Sequence, residues 1–229
     1  IVDSLVGSEM CIRDSRDTDP YFTSDGISRS VNLVYSETDV SSTSTAAYIS
    51  DTIAYGINFN VPISESRSYG YGAEILLTDY TTTTGSPSNV TSFINKHGNS
   101  HFGLSLNANI VEDTRDRTVY ATQGRRQGVT ANFYIPPDLD YSYASFRFTG
   151  EYNTPYKLNL LEMFDWDTSF QIKPQLGFGI GIIGSSDLPF HDKFFAGGDT
   201  TVRGFDSGSL GPLKNNTTCT AKTLSLIHI

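Results

Sequence analysis

Apolar and polar residues alternate along most of this chain. The clearest stretch is residues 52–61, where Ile53, Tyr55 and Ile57 alternate with small or polar residues. A period of two sends successive side chains to opposite faces, which is typical of a β-strand and not of a helix. The same pattern predicts about seven strands in an all-β protein. They lie within residues 27–35, 52–61, 69–77, 102–110, 129–135, 146–152 and 170–182.

The connections between these strands alternate in length. Long polar loops run from Glu37 to about Ser50, from Thr81 to about Ser100, and onward from Ile183. Most other connections are shorter, including a turn predicted at 162–167. Two segments break the pattern: 113–124 is long on the side of the short turns, and 136–140 is short on the side of the long loops. Long loops on one side and short turns on the other are typical of a transmembrane antiparallel β-barrel. About seven strands form only an incomplete, open part of one.

Composition narrows the function. The chain has 229 residues, with 16 basic and 25 acidic ones and a formal net charge of −9. We expect no nucleic-acid partner, because phosphate contacts need clustered Lys and Arg. The sequence contains no run of about 18 apolar residues, so it predicts no transmembrane helix. This does not exclude a membrane protein, because a transmembrane strand is short and half polar. A soluble sandwich also alternates, whereas aromatic residues near many strand ends favour the girdles of a membrane barrel.

Both ends of the chain share an inverted DNA word. Codons that encode Met10–Ser15 have a reverse complement that encodes Leu224–Ile229. We interpret residues 1–15 and 224–229 as translated sequencing-adapter ends and exclude them from fold reasoning. The natural part is then residues 16–223, an internal fragment of a barrel, and we expect the two ends to lack packing.

A glycine-rich stretch follows the last predicted strand and places one arginine between an aliphatic and an aromatic residue. It resembles the arginine-bearing extracellular loop of the outer-membrane protein assembly family, in which the loop tucks into the barrel. The resemblance implies that the arginine pairs with an acidic residue on a later strand. The motif residues are Val202, Arg203, Gly204 and Phe205, with Gly197 and Gly198 as loop support.

Two turns also resemble that family. Asp19 stands where Asn is usual in the first turn, and Arg117 and Ala121 stand where Asn and Pro are usual in the second. The resemblance implies that both turns lie on the periplasmic side. Their motif residues are Pro20, Tyr21, Phe22, Asp25 and Gly26 in the first turn, and Asp113, Thr114, Arg115, Asp116 and Gly124 in the second.

Candidate chemistry is sparse. The acidic and basic residues of the second turn favour a network of salt bridges and caps over acid–base catalysis. His97 and His101 are four residues apart, but no third ligand is in view, so we predict no metal site and no cofactor. Cys219 is either a free thiol or one half of a disulfide whose partner lies outside the fragment. Charged residues on the predicted inner faces, Glu74, Arg147, Glu151 and Lys173, are interpreted as lumen charges.

The resemblance implies the barrel of an insertase of the bacterial outer membrane, not an enzyme. Its partners would be nascent outer-membrane β-barrel proteins, accessory lipoproteins bound through periplasmic domains outside this fragment, and outer-membrane lipids. A two-partner-type secretion transporter is the alternative, and a passive porin a more distant one. We expect the fragment alone to form an open sheet that neither inserts nor functions.

Overall fold

A computed structural model describes residues 9–39, 48–83, 86–160, 164–183, 188–194, 196–197, 204–205, 213–214, 218–219 and 225–228. In these residues the fold is one large antiparallel sheet with a single α-helix outside it and a short 3-10 helix at Phe190–Asp192. The sheet strands are β1 (Glu9–Asp19), β2 (Ser28–Asp39), β3 (Tyr48–Ser64), β4 (Arg67–Thr82), β5 (Ser100–Asp113), β6 (Gly124–Ile135), β7 (Ser142–Leu160), β8 (Phe164–Ile183) and, last in the chain, β11 (Ser225–His228).

Each strand from β1 to β7 pairs with the next one along the chain, and β8 pairs on its other side with β11. The seven predicted strands correspond to β2–β8, so the predicted all-β antiparallel fold is confirmed, and β1 and β11 lie at the open edges. Two further segments, β9 (Leu213–Lys214) and β10 (Thr218–Cys219), form a separate antiparallel pair.

The strands are longer than the alternation predicted. The turn predicted at 162–167 is wrong at its second half, because β8 already begins at Phe164, where it pairs with Leu160 of β7. Backbone hydrogen bonds between neighbouring strands do not depend on side-chain alternation, so pairing continues beyond the apolar pattern.

The long polar loop predicted at residues 81–100 contains a helix, α1 (Ser88–His97). Val90 and Ile94 are four residues apart and both are buried, so they share one face. Gly98 ends the helix with a positive φ of 86°, and its N–H donates to the carbonyl of Ile94 at 2.8 Å. In the described part of the chain no helix is long and apolar enough to span a membrane.

Contrary to expectation, the described residues of both chain ends pair with the sheet through their backbones, although the side chains of residues 11–15 are exposed. Residues Glu9–Ser15 pair with Leu33–Asp39 of β2, and Ser225–His228 pair with residues of β8. An open sheet edge presents unpaired N–H and C=O groups to any extended segment that reaches it. Such pairing is made by the backbone and does not bear on the origin of either segment.

The two faces of the sheet differ in character. One is an exposed apolar surface that includes Leu33, Tyr55, Ile75, Phe102 and Phe178. This is the outer face of a barrel wall, where lipid replaces a protein core.

The opposite, inner face carries a chain of amides. The amide groups of Asn107 and Asn58 donate to Asn58 and Asn32 at 3.1 and 3.2 Å, and Asn32 donates to Glu74 at 3.1 Å. Gly72 lies beneath Asn58, where a Cβ atom would collide with the amide. Glycine in this face therefore makes the room that the amide chain occupies.

Candidate functional site

The turn between β5 and β6 is organised around Arg115, whose side chain is only 8% exposed. Its Nε and Nη2 atoms donate to both carboxylate oxygens of Asp113, at 2.9 and 2.8 Å. Its Nη1 atom donates to both oxygens of Glu151 on β7, each at 3.2 Å. A planar guanidinium can bridge two carboxylates in this way because its donors form a rigid fork. Arg115 thus ties the turn to the neighbouring strand pair.

Asp116 closes the rest of this turn. Its carboxylate accepts the backbone N–H groups of Thr122 and Gln123 at 3.0 and 3.3 Å and the Thr122 hydroxyl at 2.7 Å. These hydrogen bonds, the hydroxyl bond first, lower the pKa of Asp116 to about 2. Gly124 follows with a φ of 97°, and Thr114 leaves no space there for a side chain. The arrangement is the predicted network of salt bridges and caps.

The first motif turn joins β1 to β2. The N–H of Tyr21 donates to the carboxylate of Asp19 at 3.1 Å, so Asp19 makes a local side-chain turn at this position. Gly26 has a φ of 81°, which favours glycine. Phe22 packs against Phe59 of β3, and the guanidinium of Arg29 lies 4.5 Å above the Phe22 ring. Pro20 and Asp25 lie within the same turn.

At the other end of the sheet, the segment Leu188–Phe194 returns across the inner face. Phe190 is buried and packs edge-on against Tyr48 of β3 and Tyr80 of β4, with ring centroids 5.1 Å apart in each case. Phe93 of α1 packs against Phe190 as well, at 5.4 Å. The start of the loop that bears the arginine motif therefore reaches from β8 to β3 and β4 on the inner side.

Glycines in β8 make room for this return. A Cβ atom at Gly177 would meet the ring of Phe194 at 2.7 Å, and one at Gly179 would collide with Leu188. The Arg147 guanidinium of β7 lies 5.5 Å from the centre of the Phe194 ring, within the range of a cation–π contact. Large residues at these two glycine positions would push the segment off the strand.

A cluster of tyrosine and histidine side chains lies beneath the returning segment, and the sequence analysis did not predict it. His191 stacks on Tyr80 with ring centroids 5.3 Å apart. The hydroxyl oxygen of Tyr141 lies 2.6 Å from Nδ1 of His101, within hydrogen-bond distance. Burial lowers the pKa of His191 to about 3, so the ring is neutral at pH 7. A cavity of about 320 Å³ lies among these rings.

His97 and His101 belong to this cluster. The ring of His97 packs against Phe93 and Tyr141, each 4.9 Å away between centroids. The second ring nitrogen of His101, Nε2, lies 3.0 Å from the carbonyl of Gly98. Among the residues with assigned positions, no three His, Cys, Asp or Glu side chains converge as metal ligands.

The arginine motif lies largely beyond the structural description. Gly198, Val202 and Arg203 are outside the described residues. Gly197 and Gly204 have φ values of 114° and 88°, both in the region that favours glycine, and Phe205 is 53% exposed. The backbone of Cys219 pairs with Leu213, whereas its side chain, predicted to be either a free thiol or one half of a disulfide, is outside the description.

The sequence matches the model of the Omp85 superfamily domain over residues 14–225. The chain belongs to the Omp85 superfamily. It is 28% identical over 206 residues to the outer membrane protein assembly factor BamA of Neisseria meningitidis, a match that covers 85% of this chain and 25% of that protein.

The fold comparison agrees with the family. A crystal structure of BamA from Haemophilus ducreyi lacking POTRA domains 1–3 superposes with a TM-score of 0.74 at 22% identity. The match covers 89% of this chain and 39% of that one, so this member of the superfamily spans about a quarter to two fifths of the relatives it matches. The open sheet is thus part of a barrel wall, and the outer membrane is its location.

Proposed function

We propose that this chain is part of the barrel of an insertase that assembles β-barrel proteins into the bacterial outer membrane. Its role is non-catalytic: it forms part of the wall of a barrel that guides incoming strands at a seam outside this chain, and it does not transform a substrate. The observation that carries the proposal is the return of Leu188–Phe194 across the inner face, held by Phe190 between β3 and β4. Similarity to an assembly factor over most of the chain supports the same function.

The returning segment leads into the arginine motif along the chain. Phe194 is held over Gly177 of β8, and the motif starts only a few residues further along the chain. The loop therefore enters the lumen before it reaches Arg203. An always-charged guanidinium suits a fixed contact with a carboxylate there. The carboxylate partner belongs to barrel strands outside this chain.

The proposed partners are nascent outer-membrane proteins and, through periplasmic domains outside this chain, accessory lipoproteins. A strand at an open seam offers unpaired backbone groups to an incoming strand, so the client needs no particular side-chain sequence. The secretion transporter of the same superfamily remains the second candidate, since an arginine loop inside the lumen also suits that function.

The test uses the complete protein that contains this chain, in liposomes with an unfolded porin as the client. We expect it to speed the appearance of the heat-modifiable folded porin, and Arg203→Glu to slow that gain strongly while the variant itself stays folded. Arg117→Glu, in an exposed part of the turn between β5 and β6, is the matched charge-reversal control. A protein that exports one soluble partner and leaves porin folding unchanged would establish the transporter function instead.

Sequencing outward from residues 16 and 223 in the source DNA complements this assay. Several upstream periplasmic repeats would support the insertase, whereas two repeats or none would favour the transporter or a porin. If natural sequence continues through residues 10–15 and 224–229, the interpretation of both ends as adapter sequence is wrong.

A further inference from the structure

A charged cluster lies on the outer face of the sheet, where the surrounding surface is apolar. Glu112 of β5 accepts from Arg67 of β4, with Nη2 3.0 Å from Oε1, and from Arg125 of β6, with Nη2 3.4 Å from Oε2. Gln127 donates to the same carboxylate at 2.6 Å. The alternation of each strand puts these four side chains on the apolar face.

The cluster has one more positive charge than negative charge. The carboxylate of Glu112 is only 12% exposed, whereas the side chains of Arg67 and Arg125 are 56% and 50% exposed. Each guanidinium has five N–H donors, and the contacts to Glu112 occupy two of those on Arg67 and one on Arg125. Two exposed arginines held together by one half-buried glutamate leave donors free for a further ligand, which is an arrangement that suits a phosphate.

A groove of about 290 Å³ starts at this cluster and continues onto the lipid-facing surface. Its apolar lining comes from Ile110, Val129 and Phe148, which stand side by side on β5, β6 and β7. Arg67, Glu112 and Gln127 line the end nearer the short turns. The groove thus places a cationic cluster directly beside an apolar surface, as the head and the chains of a lipid require.

We propose that this groove binds one glycerophospholipid of the leaflet at the short-turn end of the barrel. The phosphate contacts Arg67 and Arg125, and one acyl chain lies along Ile110, Val129 and Phe148. All the contributing strands, β4–β7, have neighbours on both sides in the sheet, so the groove does not depend on the barrel strands outside this chain. The proposal rests on the outer-membrane location and not on insertase activity, so either can fail without the other.

The test measures binding of dioleoylphosphatidylglycerol to the complete, delipidated protein in detergent by native mass spectrometry. Loss of charged hydrogen bonds in the Arg67→Gln/Arg125→Gln variant should weaken binding about tenfold. Arg126→Gln is the control, because it removes one arginine charge from β6, the strand of Arg125, but on the opposite face, where Arg126 lies near Asp113. Equal binding by the double variant and the wild type, or an equal loss in the control, would overturn the proposal.

Two further probes on the wild-type protein separate the source of the phosphate. Dioleoylglycerol has the same chains without the phosphate and should bind about tenfold more weakly. Inorganic phosphate at the same concentration should not displace the phospholipid, because it has no chain to fill the groove. Equal binding of dioleoylglycerol would show that the arginines are not used, and full displacement by phosphate would show a simple anion site. These probes decide the question even if the double variant does not fold.

Discussion

The two ends of the sheet, seen along the strands, differ in the interactions that hold their connections. The short-turn end carries the turns after β1 and β5, and the long-loop end carries α1 and the segment after β8. At the short-turn end, Arg115 and Asp116 hold the chain through salt bridges and hydrogen bonds made mostly within one turn. At the long-loop end, Phe190 and His191 hold the chain through aromatic packing against strands more than a hundred residues earlier in the sequence. The first end is local and ionic, and the second is long-range and apolar. The ends should therefore respond differently to truncation and to acid.

The largest expected effect comes from Phe190→Ala at the long-loop end. Removing a buried aromatic ring costs about 3 kcal/mol, and here the loss falls on the docking of residues 188–194 onto β3 and β4. Hydrogen–deuterium exchange in the complete protein should show lower protection of this segment. Phe170→Ala removes the same ring from the exposed outer face and should leave that protection unchanged. Full protection in Phe190→Ala would mean that the ring does not anchor the loop.

A smaller loss is expected from Arg115→Ala at the short-turn end. It leaves the carboxylates of Asp113 and Glu151 without their shared donor, which costs about 2 kcal/mol. Urea unfolding of the complete protein in detergent should show a lower midpoint. Arg117→Ala is the control: that side chain is 57% exposed and forms one ion pair with Asp116, so a change of only about 0–0.5 kcal/mol is expected. An equal shift in both variants would contradict the central role of Arg115.

Acid should release the long-loop end first. The folded-state pKa of His191 is about 3, below its ordinary value of 6.5, so the detached segment binds more protons than the docked one between these values. Docking is therefore fully stable above about pH 6.5 and weakens as pH falls toward 3. Protection factors of residues 188–194, corrected for intrinsic exchange, should fall between pH 7 and pH 5. His191→Gln should reduce this pH dependence, and an unchanged slope would rule out His191 as its source.

The smallest effect is expected from acid at the short-turn end. The folded-state pKa of Asp116 is about 2 against an ordinary 3.8, so its contribution is present above 3.8 and is lost only as pH falls through about 2. Protection of the Thr122 and Gln123 amides should therefore persist at pH 5, where residues 188–194 already exchange faster. Asp116→Asn should lower that protection at neutral pH. Simultaneous release of both ends by acid would remove the distinction between them.

The difference between local and long-range interactions also explains which features the sequence predicted. The seven strands followed from period-two alternation, because a barrel wall needs one lipid-facing and one polar face. The network in the turn between β5 and β6 could also be predicted, because Asp113, Arg115 and Asp116 lie close together in the chain and turn chemistry is local. Their contact with Glu151 on β7 was not, because it depends on the register of three strands.

The long-loop end was missed for a related reason. In α1, Val90 and Ile94 form only a short apolar stripe inside a polar stretch, which is too brief for periodicity to identify. Phe190 contacts Tyr48 and Tyr80 only when the sheet has formed, so no local sequence pattern predicts that contact. Gly177 and Gly179 of β8 lie beneath Phe194 and Leu188, and their role can be recognised only once that contact is known.

Glycines beneath larger side chains, in β8 and in other strands, restrict which substitutions this protein can accept during evolution. Gly72 lies beneath Asn58, Gly103 beneath Tyr134, and Gly179 beneath Leu188, and each would collide with its partner if it gained a side chain. A larger residue at the glycine becomes tolerable only after the partner has become smaller. The order of substitutions therefore matters at each pair, and the reverse order passes through a damaged intermediate.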